Sequence, residues 1–174
     1  MMTAEKPQPG LIPGFGMQKN AVLSECRQYR YFLYRIWNEK AARLAVVGLN
    51  PSTADEDHDD ATVRQCMAYA RRWGMGGLYM LNLFGWRATD PRALLKAVDP
   101  VGEENDTHLL TYCLDADLIL AAWGVGGGLL DRDRAVLRLL DGLDVMCLGT
   151  TKEGYPRHPL RNKLTLKPVK YEGR

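Results

Sequence analysis

The stretch VVGLNPSTA, residues 46–54, starts as an apolar run and stops at a polar turn. A short apolar run bounded by Gly and Pro is typical of a buried strand. In an open parallel sheet, ligands bind where the carboxyl ends of the strands run into loops. We therefore predict a core strand over residues 44–49 and chemistry at the turn that follows it.

Three later segments repeat this pattern, because each runs from apolar residues into a polar or aromatic end. They are residues 80–84, 118–124 and 145–159, which run into Asn, Trp-Gly and His-Pro. We expect the four segment ends to converge on one cleft. Strands alternating with helices predict an α/β fold whose parallel sheet is covered on both faces. The predicted helices are 60–73, 91–98, 104–114 and 129–140, the further strands are 78–83, 118–123 and 144–148, and a flexible glycine loop is expected at 124–128.

The residues before the first core strand predict two further features. Segments 21–24 and 28–37 are joined by a polar turn and have the pattern of an antiparallel hairpin. Residues 1–17 hold three prolines and three glycines and lack the apolar region of a secretory signal. We interpret 1–17 as a flexible lead-in, with a functional arm as the alternative, and 18–174 as a single α/β domain with a basic C-terminal tail.

Composition is that of an ordinary globular protein, with 46% hydrophobic and 25% charged residues. The formal net charge of +2 is low for a domain that neutralises many phosphates. Charge is uneven, since 152–174 carry seven Lys or Arg against two acids, whereas 55–60 carry five acids. The four scattered cysteines and the lack of a bilayer-length apolar stretch predict a cytoplasmic protein without a membrane partner.

The acidic run at 55–60 has two interpretations. Its carboxylates offer hard oxygen ligands for a divalent cation, but a solvated loop that ends in a helix cap is favoured. Asp60 is the expected N-cap of the helix that Thr62 begins. The Asp60 carboxylate has a second option, which is to point back at the Asn50 turn.

Two asparagines are candidates for chemistry because each lies one step past an apolar strand. The amides of Asn50 and Asn82 both donate and accept hydrogen bonds. Such a pair holds a water or reads the edge of a planar heterocycle, or each side chain caps its own turn.

A histidine and an arginine follow later strands. His158 lies between prolines that restrict the backbone and fix the direction of the imidazole. A fixed imidazole stabilises developing negative charge on a leaving group, and a surface loop histidine is the alternative. Arg87 and Thr89 either clamp a phosphate or sugar or belong to the turn before Asp90.

Seven short motifs occur in order along the chain: LNPSTAD at 49–55, DAT at 60–62, NLF at 82–84, RAT at 87–89, VGEEND at 101–106, WG at 123–124 and RHPL at 157–160. With them, residues 28–166 resemble an uncharacterised bacterial and phage family known only as a domain of unknown function. This resemblance implies no activity.

The order of the motifs is also similar, more distantly, to that of the uracil-DNA glycosylase superfamily. GLNP at 48–51 resembles a turn whose Asn positions the attacking water, Asn82 resembles the Asn that reads a flipped base, and His158 resembles the His that stabilises the departing base. The resemblance implies a three-layer α/β/α sandwich around a four-stranded parallel sheet. This chain has Leu160 where the superfamily has Ser, and its first motif lacks the Asp that serves as base.

The leading hypothesis is an N-glycosylase-like hydrolase of a modified or deaminated nucleobase in DNA, with no metal or cofactor. Phe84 or Trp123 would stack on the flipped base. The alternatives are a non-catalytic nucleotide or nucleic-acid binding module and a hydrolase of a free nucleoside or nucleotide. Asn50 and His158 are the predicted catalytic residues, and the predicted substrate-binding residues are Gly48, Pro51, Ser52, Asn82, Phe84, Arg87, Thr89, Trp123 and Arg157.

Overall fold

A computed structural model describes residues 16–174, in which strands alternate with helices as predicted. Short 3₁₀ segments cover Pro91–Lys96, Gly124–Asp131 and Pro159–Arg161. The longer elements are β1 (Gln18–Leu23), β2 (Arg30–Ile36), β3 (Arg43–Gly48), α1 (Ala61–Arg72), β4 (Gly77–Asn82), α2 (Asn105–Asp115), β5 (Leu118–Ala121), α3 (Arg132–Leu139), β6 (Val145–Cys147) and β7 (Val169–Lys170).

The strands form one seven-stranded mixed sheet in the order β1-β2-β4-β3-β5-β6-β7. β3 lies between β4 and β5 and runs parallel to both, and β5 runs parallel to β6. β2 is antiparallel to both β1 and β4, and β7 is antiparallel to β6. The sheet is therefore wider than the predicted four strands, because the predicted hairpin and a short C-terminal strand continue it at both edges.

Helices cover both faces of this sheet. Side chains along β3 point alternately to the two faces, so they pack against different helices. Ala45 and Val47 pack in a buried cluster with apolar residues of α2 and α3. Leu44 and Val46 pack in a second cluster with the apolar side of α1. None of the helices in the described part of the chain is long and apolar enough to cross a membrane.

The segment after β5 differs from its prediction. The expected glycine loop at 124–128 is a 3₁₀ segment packed on Trp123, where a Cβ at Gly127 would lie 2.1 Å from the Trp123 Cδ1 atom. The helix expected from residue 129 begins only at Arg132, because Leu130 and Asp131 have positive φ angles of 54° and 50°. Such angles interrupt helical hydrogen bonding. Of the predicted lead-in at 1–17, residues 1–15 lie outside the described residues, and the division into lead-in and domain stays a prediction.

The acidic run is fixed to the hairpin by ion pairs. In the described part of the chain, no group of three or more His, Cys, Asp or Glu residues is placed to hold a metal ion. Hydrogen bonds from the backbone N–H groups of Asp57 and His58 lower the pKa of Asp55 to about 2. The ion pairs are Glu56 with Arg27 at 3.0 Å, Asp57 with Lys19 at 3.2 Å and Asp59 with Arg35 at 2.8 Å.

Replacing Arg35 by Ala should lower the free energy of unfolding by roughly 3–5 kcal/mol. Arg35 is 1% exposed and also donates to the Asp55 carbonyl at 2.7 Å, so its loss leaves Asp59 and that carbonyl without their donor. Urea unfolding measures the change. Arg72→Ala, at the exposed end of α1, is the matched control and should change stability by no more than about 0.5 kcal/mol. Equal effects of the two substitutions would contradict the structural role of Arg35.

Candidate functional site

A cavity of about 280 Å³ opens at the carboxyl ends of the parallel strands. Gly48 of β3 and Asn82 of β4 are register partners at this edge, and Trp123 follows β5. His158, beyond β6, completes the wall, so all four segment ends contribute to one cavity. The predicted site residues that line it are Gly48, Asn50, Ser52, Asn82, Thr89, Trp123 and His158.

Four predicted site residues lie elsewhere. Phe84 is fully buried in the cluster beneath α2 and α3, so its ring has no face open to a ligand. Pro51 is buried, and its carbonyl accepts the Ala88 N–H at 2.9 Å. Arg87 lies on a separate surface and donates to the Ser52 and Arg27 carbonyls. Arg157 lines a neighbouring groove of about 710 Å³, and its Nε donates to the Thr150 carbonyl at 3.0 Å.

The side-chain amide of Asn50 has a fixed orientation. Its Nδ2 donates to the Ala88 carbonyl at 2.8 Å and to the Pro51 carbonyl at 3.1 Å. Its Oδ1 accepts from no donor within residues 16–174, although Asn50 is part of the cavity wall. Asn50 therefore offers the cavity a fixed hydrogen-bond acceptor.

Asn82 is only 3% exposed, and its Nδ2 has no hydrogen-bond partner within the described chain. Its Oδ1 lies over Gly48, where a Cβ would come within 2.9 Å of that oxygen. The position opposite Asn82 therefore requires glycine.

Side chains at the starts of α2 and α3 donate hydrogen bonds to the main chain at Asn82 and Leu83. Asn105 Nδ2 donates to the carbonyls of Asn82 and Leu83, at 3.0 Å each. Arg132 Nε donates to the same Leu83 carbonyl at 2.8 Å, and its guanidinium pairs with Asp106. Arg132 was not predicted as a site residue, since nothing local in the sequence relates it to Asn82.

His158 presents a defined tautomer. Its Nδ1 accepts the Leu160 N–H at 3.3 Å, so in the neutral ring the proton lies on Nε2. Burial, and then the positive charge of Arg161, lower the pKa of His158 below its ordinary value, while Asp60 opposes this shift. The imidazole is therefore a neutral hydrogen-bond donor at pH 7.

An aspartate and an arginine also line the cavity. Asp60 caps α1, because its Oδ1 accepts the Val63 N–H at 2.9 Å, and it also lines the cavity. The helix-cap option for Asp60 is confirmed. Arg30 is 2% exposed, and its Nη1 donates to the Ala54 carbonyl at 2.9 Å. Burial lowers the pKa of Arg30 to about 10, so the guanidinium stays charged at pH 7.

Three buried N–H groups of the cavity-lining residues have no acceptor within the described chain. They are Arg30 Nε, Asn82 Nδ2 and Trp123 Nε1. Buried donors are nearly always hydrogen-bonded in folded proteins, and each unmade bond costs roughly 1–3 kcal/mol. Trp123 Nε1 lies toward Gly127, where an added Cβ would be 2.6 Å away, so it is not a contact for a ligand in the cavity. A ligand that brings acceptors to Arg30 and Asn82 would remove the cost of the other two unmade bonds.

The fold and the cavity define an α/β protein whose candidate site lies at the carboxyl ends of parallel strands, where such folds bind ligands. Residues 30–160 match the family model described as Protein of unknown function (DUF1643). Because the match covers more than half of the chain, the protein belongs to this family, which confirms the prediction of an uncharacterised family of unknown function. Comparison with curated proteins and comparison with solved structures found no match.

Replacing Gly48 by Ala should move the Asn82 amide, because the new Cβ would lie 2.9 Å from Oδ1. Overpacking of this kind costs roughly 1–3 kcal/mol. Thermal unfolding and the NMR signal of the Asn82 side-chain NH₂ report the two effects. Gly16→Ala, where no atom of the described residues lies within 4 Å of an added Cβ, is the control. An unchanged Asn82 signal in Gly48→Ala would contradict the contact.

Proposed function

We propose that the protein is an N-glycosylase-like hydrolase that removes a modified or deaminated nucleobase from DNA. One observation carries this proposal: Asn50 after β3, Asn82 at the end of β4 and His158 in the loop beyond β6 line one cavity with complementary atoms. They offer a fixed acceptor, an unpartnered buried donor and a neutral imidazole N–H. A nucleobase, its glycosidic carbon and an attacking water require such a set.

The resemblance to the uracil-DNA glycosylase superfamily supports the same assignment. It implies that Asn50 positions the attacking water, that Asn82 reads the flipped base and that His158 stabilises the departing base. The parallel strands β4, β3, β5 and β6, with helices on both faces, are compatible with the three-layer sandwich that this resemblance implies.

The reaction replaces the bond between C1′ of the sugar and the base nitrogen by a bond between C1′ and a water oxygen. This bond breaks with its electron pair going to the base, and the sugar becomes oxocarbenium-like. The His158 Nε2–H donates a hydrogen bond to the base as negative charge develops there. Water held by the Asn50 amide oxygen adds to C1′, so that the products are a free base and an abasic sugar.

A proton must leave the attacking water, and an amide cannot take it. Asp60 is the one acidic residue among the described residues that line the cavity. We assign it the role of proton acceptor, and this proton balances the negative charge left on the base. Its position at the start of α1 fixes the direction of its carboxylate.

The groove beside the cavity provides a place for the DNA backbone. It is lined by Arg157 and Arg161 and shares Trp123, His158 and Leu160 with the cavity. Arginines bind phosphates through charge-assisted hydrogen bonds. A base in the cavity would therefore leave its flanking phosphates next to these two cations.

Incubation with labelled single- and double-stranded oligonucleotides tests the proposal. The target bases are uracil, hypoxanthine, hydroxymethylated pyrimidines and mismatched bases, and alkaline cleavage reveals abasic sites. His158→Ala and Asn50→Ala should each slow base release by roughly 10²–10³-fold, because each removes a preorganised polar contact. His58→Ala, an exposed histidine outside the cavity, is the matched control. Full activity in both site variants would refute the assigned roles.

The rate should fall as the solution is acidified through the pKa of His158, because protonation of Nδ1 removes the acceptor of the Leu160 N–H and so releases the ring from its fixed orientation. That pKa is lowered from 6.5 in the folded protein, so the neutral ring favours the folded state. This contribution to stability is present above pH 6.5 and is lost as the pH falls through the lowered value. Imidazole ¹⁵N shifts and the pH profile of base release, with Asp60 and Arg161 as the facing charges, should give the same midpoint below 6.5. A midpoint above it would contradict the neutral imidazole.

The second candidate is a binding module that uses the same cavity without hydrolysis. It is favoured by Leu160, which stands where the superfamily has Ser, and by the absent Asp of the first motif. The oligonucleotide panel separates the two, because a binding module would retain a base-dependent affinity with no abasic product. Salt dependence separates a duplex ligand from a free nucleotide, since only the duplex weakens steeply with added salt.

A further inference from the structure

We propose that Arg30 reads the base, and that the base is a 6-oxopurine bound through its adjacent O6 and N7 acceptors. This inference rests on the proposed function, in which the cavity holds a nucleobase. It assigns a residue that neither the motifs nor the resemblances single out.

One edge of the Arg30 guanidinium, formed by Nε and Nη2, has no hydrogen-bond partner among the described residues. Arg30 Nη1 donates to the Ala54 carbonyl at 2.9 Å, which fixes the plane of the group. Nε is fully buried without an acceptor, and Nη2 has no acceptor within the described residues either. In arginine, Nε–H and the adjacent Nη2–H point the same way and form a rigid pair of donors. Such a pair matches two acceptors that lie side by side.

The charges of the cavity wall favour a neutral ligand. Asp60 lines the same cavity and attracts the Arg30 charge, and His158 is neutral. A phosphate beside Arg30 would meet the repulsion of the Asp60 carboxylate. A neutral ligand with two acceptors avoids this repulsion and still satisfies the donors.

The nucleobases differ in the hydrogen-bond donors and acceptors on their edges. A 6-oxopurine presents O6 and N7 next to each other, and this pair is the commonest specific partner of arginine. Adenine presents an amino donor beside N7, so one arginine N–H would face another donor. Uracil presents O4 beside the N3–H donor. Cytosine carries its own adjacent acceptors, N3 and O2, and is therefore included in the test.

The contact would also assist the reaction. When the bond from C1′ to N9 breaks, the electron pair left on a purine is spread over N3, N7 and O6. A positively charged donor pair at N7 and O6 is bound more strongly by this anion than by the intact nucleotide. Interactions that strengthen in this way lower the barrier. Arg30 therefore both selects the base and stabilises its departure.

The test changes the ligand by one atom. Calorimetric titration compares hypoxanthine with 7-deazahypoxanthine, which lacks the N7 acceptor, and with adenine, uracil and cytosine, on the full chain. Hypoxanthine should bind roughly tenfold or more tightly than each of the others, since a bidentate arginine contact contributes about 1–3 kcal/mol. Because this comparison uses the unaltered protein, it does not depend on whether an Arg30 variant folds.

A variant and an activity measurement complete the design. Arg30→Lys keeps the charge but loses the paired donors, so it should bind hypoxanthine and 7-deazahypoxanthine equally, while exposed Arg71→Lys keeps the preference. Base release is measured in parallel from oligonucleotides that carry hypoxanthine or 7-deazahypoxanthine.

The outcomes separate the two proposals. Equal affinity for hypoxanthine and its 7-deaza analogue, or tighter binding of cytosine or uracil, would overturn the role of Arg30 even if a base is released. A hypoxanthine preference that Arg30→Lys abolishes, with no base release from any oligonucleotide, would support Arg30 and overturn the hydrolase. An absence of both binding and release would overturn both.

Discussion

The close approach of the Asn82 amide to the Gly48 backbone is the constraint on which the site depends. Gly48 and Asn82 are paired in register on adjacent parallel strands, so the two strand ends reach the same edge of the sheet. A Cβ at Gly48 would meet Asn82 Oδ1 at 2.9 Å, and Asn105 holds the Asn82 carbonyl from the other side. The position of Asn82 in the site is thus fixed by the same contacts that align the sheet.

Charge compensation shapes both the loop and the cavity. Three of the five acids in the 55–60 run, which looked like a solvated or metal-binding cluster, are paired with Arg27, Lys19 and Arg35, and these pairs join the run to the hairpin. This pairing weakens the repulsion that the run would otherwise exert on a phosphate backbone. Arg30 and Asp60 both line the cavity, and Asp60, the one acid among the described residues of the wall, is also the helix cap. The site therefore combines polar groups with little net charge, which suits a neutral base.

Local sequence signals predicted the central part of the fold well. β3, β4 and α1 follow from apolar runs, helical spacing and the Asp60 cap, all of which act over a few residues. β7 has only two residues and shows no periodicity that could predict it. The late start of α3 depends on positive φ angles at Leu130 and Asp131, residue types for which such angles are uncommon. The hairpin was predicted, but the pairing of β2 with β4 and of β7 with β6 joins distant parts of the chain, which local patterns do not encode.

The same distinction explains the site. Asn50, Asn82 and His158 were visible because they follow apolar runs, and the structure places all three around one cavity. Phe84 was expected beside Asn82, but β4 ends at Asn82, so strand alternation does not extend to residue 84. Arg30 was missed because it begins a strand of aromatic and apolar residues, where a buried charge has no local signature. Arg132 reaches the site through contacts between distant parts of the chain, which only the fold provides.

The central claim is that this cavity binds a nucleobase between Asn82 and His158. The most direct measurement is a crystal structure of the protein soaked with the free base that the oligonucleotide panel identifies, or with hypoxanthine if none is released. We expect the base in the cavity, within hydrogen-bonding distance of Asn82 Nδ2 and His158 Nε2. A base bound elsewhere, or a cavity that stays empty at saturating concentration, would contradict it.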